Sequence, residues 1–280
     1  MKLVRFGEAG CERPGLLDAG GVVRDLSSVL PELDGAALAP ASLARLRALD
    51  PAALPAVAAG TRLGPPLARV GKIVAIGLNY ADHAREAGQD VPAEPTVFMK
   101  SASAISGPCD PIVLPPGSAK TDWEIELAVV IGSAARRVPE AQALEHVAGY
   151  CIGLDISERY WQLERGGQWT KGKSFDSFAP IGPWLLTADE VPAPQGLPMA
   201  LSVNGERMQH GSTADMVCGV ARLVSYVSSF MSLLPGDLIF TGTPAGVGLG
   251  MTPPRYLRAG DRVEASIAGL GAQRHEVIAA

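Results

Sequence analysis

The 280-residue chain lacks most of the signatures that would settle its function early. Its four cysteines (Cys11, Cys109, Cys151, Cys218) are scattered without a C-x-x-C pair, which argues against a disulfide framework or a thiolate metal site and fits reduced thiols in a cytoplasm. No apolar run approaches the ~20 residues of a membrane span, and the opening M-K-L-V-R-F-G-E has no apolar leader core. A cytoplasmic protein without a membrane partner is therefore expected. Net charge is a mild −5 with no basic cluster, which makes nucleic acid a poor partner. G-T-P-A-G-V-G-L-G (242–250) follows an apolar run yet has neither the G-K-[ST] of a phosphate loop nor the G-x-G-x-x-G spacing, so nucleotide binding is rejected. No G-x-S-x-G serine elbow occurs. His146, His210 and His275 have no partner at ligand spacing and are read as structural or exposed.

What is present is a set of short apolar segments separated by Gly and Pro. Residues 2–6 read as a strand, and 15–26 as a hairpin turning at Asp18 to Gly21. The Ala- and Leu-rich stretch 35–59, broken by Pro40, Pro51 and Pro55, suggests short helices, and 60–66 a linker. This places a small N-terminal α+β domain at 1–65 and a main domain at 70–280. The main domain carries candidate strands at 72–77, 96–100, 123–131, 150–155, around Leu201 and at 237–241, with Asn204-Gly205 as a hairpin turn. Helices are expected at 139–147 and at 216–233, the latter capped by Thr213 or Asp215. Strands and helices do not alternate regularly, so a mixed, β-rich α+β fold is favoured over a doubly wound parallel sheet.

Three carboxylates carry the strongest chemical signal. Glu124 and Glu126 stand two apart in T-D-W-E-I-E-L-A-V-V-I-G, hence on one face of a strand about 7 Å apart. Ala128 and Val130 continue that face, and the other face is wholly apolar. Asp155 ends the apolar run Y-C-I-G-L-D. Acids entering an interior need compensation, and a hard divalent cation with oxygen ligands supplies it: Mg²⁺, Mn²⁺ or Ca²⁺. The competing reading is two unrelated salt bridges and a strand-end cap.

Other candidates are weaker from the residues alone. His83 and Glu86 share a face of a short helix ending at Gly88, the arrangement of a carboxylate-oriented general base, though a solvated charged helix reads the same way. Lys171 and Lys173 alternate on what looks like an extended segment, either an oxyanion partner or a surface pair. Lys100 ends the apolar V-F-M-K. Arg159 and Gln162 follow Asp155 by four and seven and would share its side if a helix begins there, Arg159 offering a bidentate fork or a structural ion pair. Thr243 and the amides of its loop could hold a carboxylate.

Taken in order, I-G-L-N-Y-A-D-H-A-R-E, V-F-M-K, D-W-E-I-E-L-A-V-V-I-G, G-L-D-I-S-E-R-Y-W-Q, K-G-K-S-F-D, N-G-E-R-M-Q and L-P-G-D-L-I-F-T-G-T-P-A-G-V-G resemble the fumarylacetoacetate hydrolase family over about residues 70–270. The resemblance implies a β-roll of mixed sheets, a homodimer, and a Mg²⁺-, Mn²⁺- or Ca²⁺-dependent enzyme that cleaves carbon–carbon bonds in acylpyruvates and related diketo acids. Some members instead decarboxylate oxaloacetate or isomerise related enols. By motif it implies Glu124, Glu126 and Asp155 as metal ligands, His83 and Glu86 as the catalytic dyad, Lys173 as the oxyanion or substrate lysine, and Lys100 (the second active-site lysine), Arg159, Gln162 and Thr243 as substrate contacts. The dyad segment between Gly77 and Gly88 is expected to act as a lid. One departure stands out: members often read S-A-R-D after the metal aspartate, where this chain has S-E-R-Y (157–160). The stretch from Gln162 to Leu185 is similar to a bacterial branch acting on 2,4-diketo-3-deoxy sugar acids.

Overall fold

Two strands, Ile125–Ile131 (apolar but for Glu126) and Val147–Leu154, are buried at every position. A strand buried on both faces has no polar alternation to show, so it belongs at the centre of a sheet with material on either side. A computed structural model, describing residues 1–280, places them side by side in an eleven-stranded mixed sheet. Nine strands follow one path, Val23–Asp25, Arg13–Leu17, Lys2–Phe6, Ala179–Thr187, Val147–Leu154, Ile125–Ile131, Leu238–Phe240, Ile73–Gly77, Thr96–Lys100; Leu63–Gly64 pairs with Lys2–Phe6 and Ile105–Ser106 with Ala179–Thr187 to make eleven. Most neighbours are antiparallel; Leu238–Phe240 pairs parallel with Ile73–Gly77.

A second sheet of five strands is ordered Glu206–Ser212, Pro198–Val203, Arg262–Ile267, Gly271–Ala279, Ile112–Leu114. Here burial alternates residue by residue, as in Arg262–Ile267, so one face meets the core and the other meets solvent. The sheets pack face to face as a roll and are stitched by Gln273, whose Nε2 donates to the carbonyls of Ile152 (3.0 Å) and Gly182 (3.2 Å) on the large sheet. The fold is thus the β-rich α+β class read from the sequence.

The sheet also runs across the boundary drawn at 65–70. Lys2–Phe6 pairs with Ala179–Thr187, and the stretch 60–66 contributes a short strand, Leu63–Gly64, rather than a plain linker. One continuous cluster of 59 buried residues includes Leu3, Leu16 and Leu26 together with the centre of the large sheet, so the N-terminal segment shares the main core.

Several local expectations need correction. The helix expected at 216–233 spans only Val220–Phe230; its first N–H is capped by Gln195 Oε1 at 2.8 Å, not by Thr213 or Asp215. Val217 lies before the helix and is exposed, so it does not belong to the buried stripe of Val220, Leu223, Val224 and Val227. The segment 139–147 winds as a 3-10 helix, Glu140–His146. Asn204-Gly205 does form the two-residue hairpin turn, with both φ values positive (54° and 80°), as a type I′ turn requires. No helix is long and apolar enough to cross a membrane.

Gln273 is fully buried, and its loss would leave two carbonyls short of a donor at the seam between sheets. Gln273→Leu should destabilise the fold by roughly 1–3 kcal/mol. That corresponds to a melting point lower by about 2–4 °C per kcal/mol. Divalent-cation affinity should not change; calorimetry checks both.

Candidate metal centre and active site

Antiparallel register brings the three acids together. Glu126 sits on Ile125–Ile131 opposite Gly153, and Asp155 donates its backbone N–H to the carbonyl of Glu124 at 2.9 Å, extending the ladder by one rung. Residues facing each other across such a pair project to one side, as do residues two apart on one strand. Glu124, Glu126 and Asp155 therefore share one face, with carboxylate oxygens within 4.8 Å of one another. All three are buried.

Their charges are not balanced alike. Glu124 accepts from Arg159 Nη2 and Lys173 Nζ, each at 2.7 Å. Burial pushes its carboxyl up, but Lys173 and Arg159 outweigh that and hold it well below the ordinary carboxylate range. Asp155 accepts from Lys173 Nζ at 2.7 Å and Lys100 Nζ at 2.5 Å. Glu126 has no cationic partner; a single backbone donor, the Gly242 N–H at 2.7 Å, is its only hydrogen bond. Burial first, then the neighbouring Asp155 and Glu124 charges, push its carboxyl well above the ordinary range. Four buried carboxylates in contact here (Asp122, Glu124, Glu126, Asp155) face three buried cations (Lys100, Arg159, Lys173), leaving one formal negative charge over.

That excess, the all-oxygen donor set and the free Glu126 oxygen fit a hard divalent ion. Oxygens about 2.1 Å from Mg²⁺ lie up to ~4.2 Å apart, and Ca²⁺ distances allow up to ~5 Å, so the observed spread needs little or no closing.

The other sequence candidates converge on the same cavity, of about 330 Å³, but not all as expected. Lys173 is only 2% exposed, which rules out the surface-pair reading. It stands on a one-turn helix, Thr170–Lys173, rather than an extended segment. Gly172 explains why: a Cβ there would lie 2.5 Å from both Gln162 N and Glu158 O, so only glycine lets this turn close onto the Arg159–Leu163 helix. Lys171 is exposed and turns to the Arg165 carbonyl. Burial opposes the Lys173 charge, yet Asp155 and Glu124 together keep its ammonium above the ordinary lysine range. Two of its three N–H bonds are used on those acids, which leaves one for a ligand.

Lys100 differs from its expected place as a substrate contact. Its three N–H groups go to Asp155, the Ile156 carbonyl and the Lys173 carbonyl, and it does not line the cavity. It is a positioning residue that fixes Asp155 and the Lys173 turn. Arg159 lines the cavity, but its fork grips the protein's own Asp122 and Glu124, and Nη1 bonds Gln162 Oε1 at 2.9 Å. Gln162 faces the cavity with its amide nitrogen free of protein partners. Thr243 also lines it, its hydroxyl donating to the Ile125 carbonyl (2.8 Å) and accepting from Gln209 (2.7 Å).

His83 and Glu86 stand on the helix Ala81–Glu86, with Nδ1 3.3 Å from Glu86 Oε2. Glu86 is in turn held by the Gly246 N–H at 3.0 and 3.1 Å, so the dyad is tied to the 242–250 loop.

Sequence reasoning missed Asp122 and Gln209. Asp122 is fully buried, pairs with Arg159 and accepts from the N–H groups of Gly248 and Leu249 at 2.7 and 2.9 Å. Gln209 accepts from Ile125 N at 2.9 Å and holds Thr243. Asp122 lies on the strand Thr121–Asp122, just ahead of the Glu124–Glu126 pair, a signal that was available; Gln209 has no local one.

Glu126→Gln gives a test with separable readouts. A carboxyl raised in the fold stabilises fully below its unfolded value and loses that contribution as pH rises through its folded value. The metal-free protein should therefore lose stability as pH climbs above the ordinary carboxylate range, and Mn²⁺ should restore it. In Glu126→Gln the decline should shrink and the metal-free melting point should rise by about 2–4 °C per kcal/mol of repulsion relieved. The Mn²⁺-induced shift should vanish. Thermal scans across pH with and without Mn²⁺ decide it.

Comparison with known proteins places the chain in a family. The fumarylacetoacetate (FAA) hydrolase C-terminal family model matches residues 72–278. A relative from Burkholderia multivorans, known by name only as a hydrolase, is 60% identical over 274 residues, covering 98% of this chain and 97% of its own. Among solved structures, fumarylacetoacetate hydrolase from Exiguobacterium antarcticum is 35% identical with a TM-score of 0.86, covering 100% of both chains. Maleylpyruvate hydrolase from Sphingobium sp. SYK-6, in complex with manganese(II) and pyruvate, is 31% identical with a TM-score of 0.82, covering 100% of this chain and 99% of its own. The 5-carboxymethyl-2-hydroxymuconate delta-isomerase of Mycobacterium smegmatis is 32% identical with a TM-score of 0.78, over 100% and 99%. The shared fold, the matched domain and the buried acidic trio together make this chain a member of the fumarylacetoacetate hydrolase family, whose members include hydrolases and isomerases.

Proposed function

We propose that the chain is a Mg²⁺- or Mn²⁺-dependent hydrolase that cleaves the C3–C4 bond of an acylpyruvate or other 2,4-diketo acid, giving pyruvate and a second carboxylic acid. The observation that carries this reading is the placement of a His–carboxylate dyad on the wall of the same cavity as the acidic trio and a partly unpaired buried lysine.

Glu124, Glu126 and Asp155 would hold the ion. When bound, a divalent cation supplies chelation of the 2-oxo acid and withdraws electron density from the keto group. Charge supports the fit: one excess negative charge, a divalent cation and a monoanionic head group sum to neutrality in the buried site.

The chain's own residues do the rest. Glu86 holds His83 through Nδ1, which leaves Nε2 to take a proton from a water. The hydroxide adds to the C4 carbonyl, and the remaining Lys173 N–H stabilises the oxygen that becomes negative. The C3–C4 electron pair leaves on C3, and the proton held at His83 Nε2 returns to C3. Water is consumed, and no oxidant or covalent cofactor is needed.

Isomerisation or decarboxylation on the same trio is the second reading, supported by the isomerase among the solved relatives. Neither needs an attacking water; an isomerase would use the His83–Glu86 dyad to move a proton between carbons, so incorporation of water oxygen into the acyl product is the point on which the readings part. A protein that only binds small molecules would have no use for the dyad. The family resemblance adds a homodimer acting on small 2-oxo acids, and the scattered, unpaired cysteines fit a cytoplasmic setting.

A panel of acylpyruvates, diketo sugar acids and oxaloacetate, with and without Mg²⁺ or Mn²⁺, tests the reading. Metal-dependent release of pyruvate plus the acyl acid, with one oxygen from labelled water in that acid, is expected. His83→Ala should keep metal affinity and lose about 10²–10⁴-fold in turnover. Carbon dioxide release without label, or His83→Ala at full rate, would replace hydrolysis with the second reading.

A further inference from the structure

The cavity divides into two chemically unlike halves. One half is the acidic trio with Lys173. Beyond the lysine the wall turns apolar at once: Lys173 Nζ lies 5.2 Å from the Phe98 ring centroid. Phe98 in turn packs edge-on against Trp169, centroids 5.3 Å apart. Leu163, Val247 and Leu249 are further apolar side chains on the cavity wall. Trp169 can lie there because residue 77 is glycine; a Cβ would sit 2.6 Å from its ring.

The second half holds no free cation. Arg159 and Lys173, the only Lys or Arg side chains on the cavity wall, are both committed to the buried acids. Lys171 turns to the Arg165 carbonyl, Arg165 stacks on Trp161 at 4.4 Å, and neither lines the cavity. Arg85 is exposed and not part of the wall. A carboxylate at the far end of a substrate would find no unpaired Lys or Arg there, only neutral polar groups such as the Gln162 amide, so its burial stays costly, whereas an alkyl or aryl tail gains from the same burial.

Resting on the acylpyruvate reading, we infer that the acyl group of the substrate is apolar and uncharged, and that Phe98 and Trp169 select it. The substrate is then a monoanion whose single carboxylate lies at the metal end, not a dioate and not a polyhydroxylated sugar acid. The similarity of residues 162–185 to a branch acting on diketo sugar acids left the acyl group open, and this lining decides against a sugar chain. The reaction that supplies the substrate must leave an acyl chain without a terminal carboxylate, and the second product is a simple aliphatic or aromatic acid.

Binding of non-cleavable 2-oxo acids to the full chain with Mn²⁺ tests this without relying on turnover. Titration calorimetry would compare pyruvate, 2-oxohexanoate, 2-oxoadipate and a six-carbon 2-oxo-3-deoxy sugar acid. 2-Oxohexanoate should bind about tenfold or more tighter than the other three, since only its tail is both long enough and apolar. Trp169→Ala should weaken 2-oxohexanoate about tenfold and pyruvate by less than about twofold. Gln89→Arg, which sets a cation at the cavity wall, should raise 2-oxoadipate affinity. Equal or tighter binding of 2-oxoadipate or the sugar acid by the unaltered protein overturns the inference and leaves the hydrolase reading standing. So does equal affinity for pyruvate and 2-oxohexanoate. Failure of all four to bind with Mn²⁺ overturns both.

Discussion

The site is organised around one uncompensated buried charge. Glu126 sits between two other acids at the centre of a sheet, and no lysine or arginine reaches it. An isolated carboxylate at such a position either takes up a proton or meets a cation. The protein supplies three cations to the network and distributes them to Asp122, Glu124 and Asp155, so the shortfall is concentrated at one oxygen that faces the cavity. Neutralising Glu126 with a fourth side chain would suit stability better. Leaving it open suits an ion that arrives with its own unfilled coordination positions.

Around that point the structure separates holding from acting. Lys100 and Asp122 are spent entirely on the protein: one fixes Asp155 and the Lys173 turn, the other fixes Arg159 and the amides of the 248–249 loop. Arg159 transmits that order to Glu124 and Gln162. The groups left with unused hydrogen-bonding capacity, Lys173, Gln162 and His83, all line the cavity. Such support by partners behind the contacting groups keeps a site in productive geometry. The dyad is tied less firmly, through Glu86 and a single backbone N–H, on a six-residue helix at the rim. This is where a segment that closes over substrate would be found.

How much of this was legible from sequence follows from how local each feature is. Glu124, Glu126 and Asp155 could be read because strand alternation is a two-residue rule and the flanking residues are apolar. The fold class could be read from the many short apolar segments between Gly and Pro. The state of Lys173 could not: T-K-G-K alternates like a strand, and only the contact of Gly172 with Gln162 and Glu158 winds it into a turn. The start of the Val220–Phe230 helix was hidden for a similar reason, its cap coming from Gln195, twenty-five residues away. Lys100 and Arg159 were found as residues, but their partners are 55 and 35 to 37 positions away, so their roles needed the assembled sheet.

The central claim is that a divalent ion seats between these three carboxylates. Anomalous diffraction at the manganese edge, from crystals grown with Mn²⁺, tests it most directly. One strong peak within bonding distance of Glu124, Glu126 and Asp155 oxygens is the predicted result. A clean map at that position, with Glu126 hydrogen-bonded as a neutral acid and the manganese elsewhere or absent, would contradict the account.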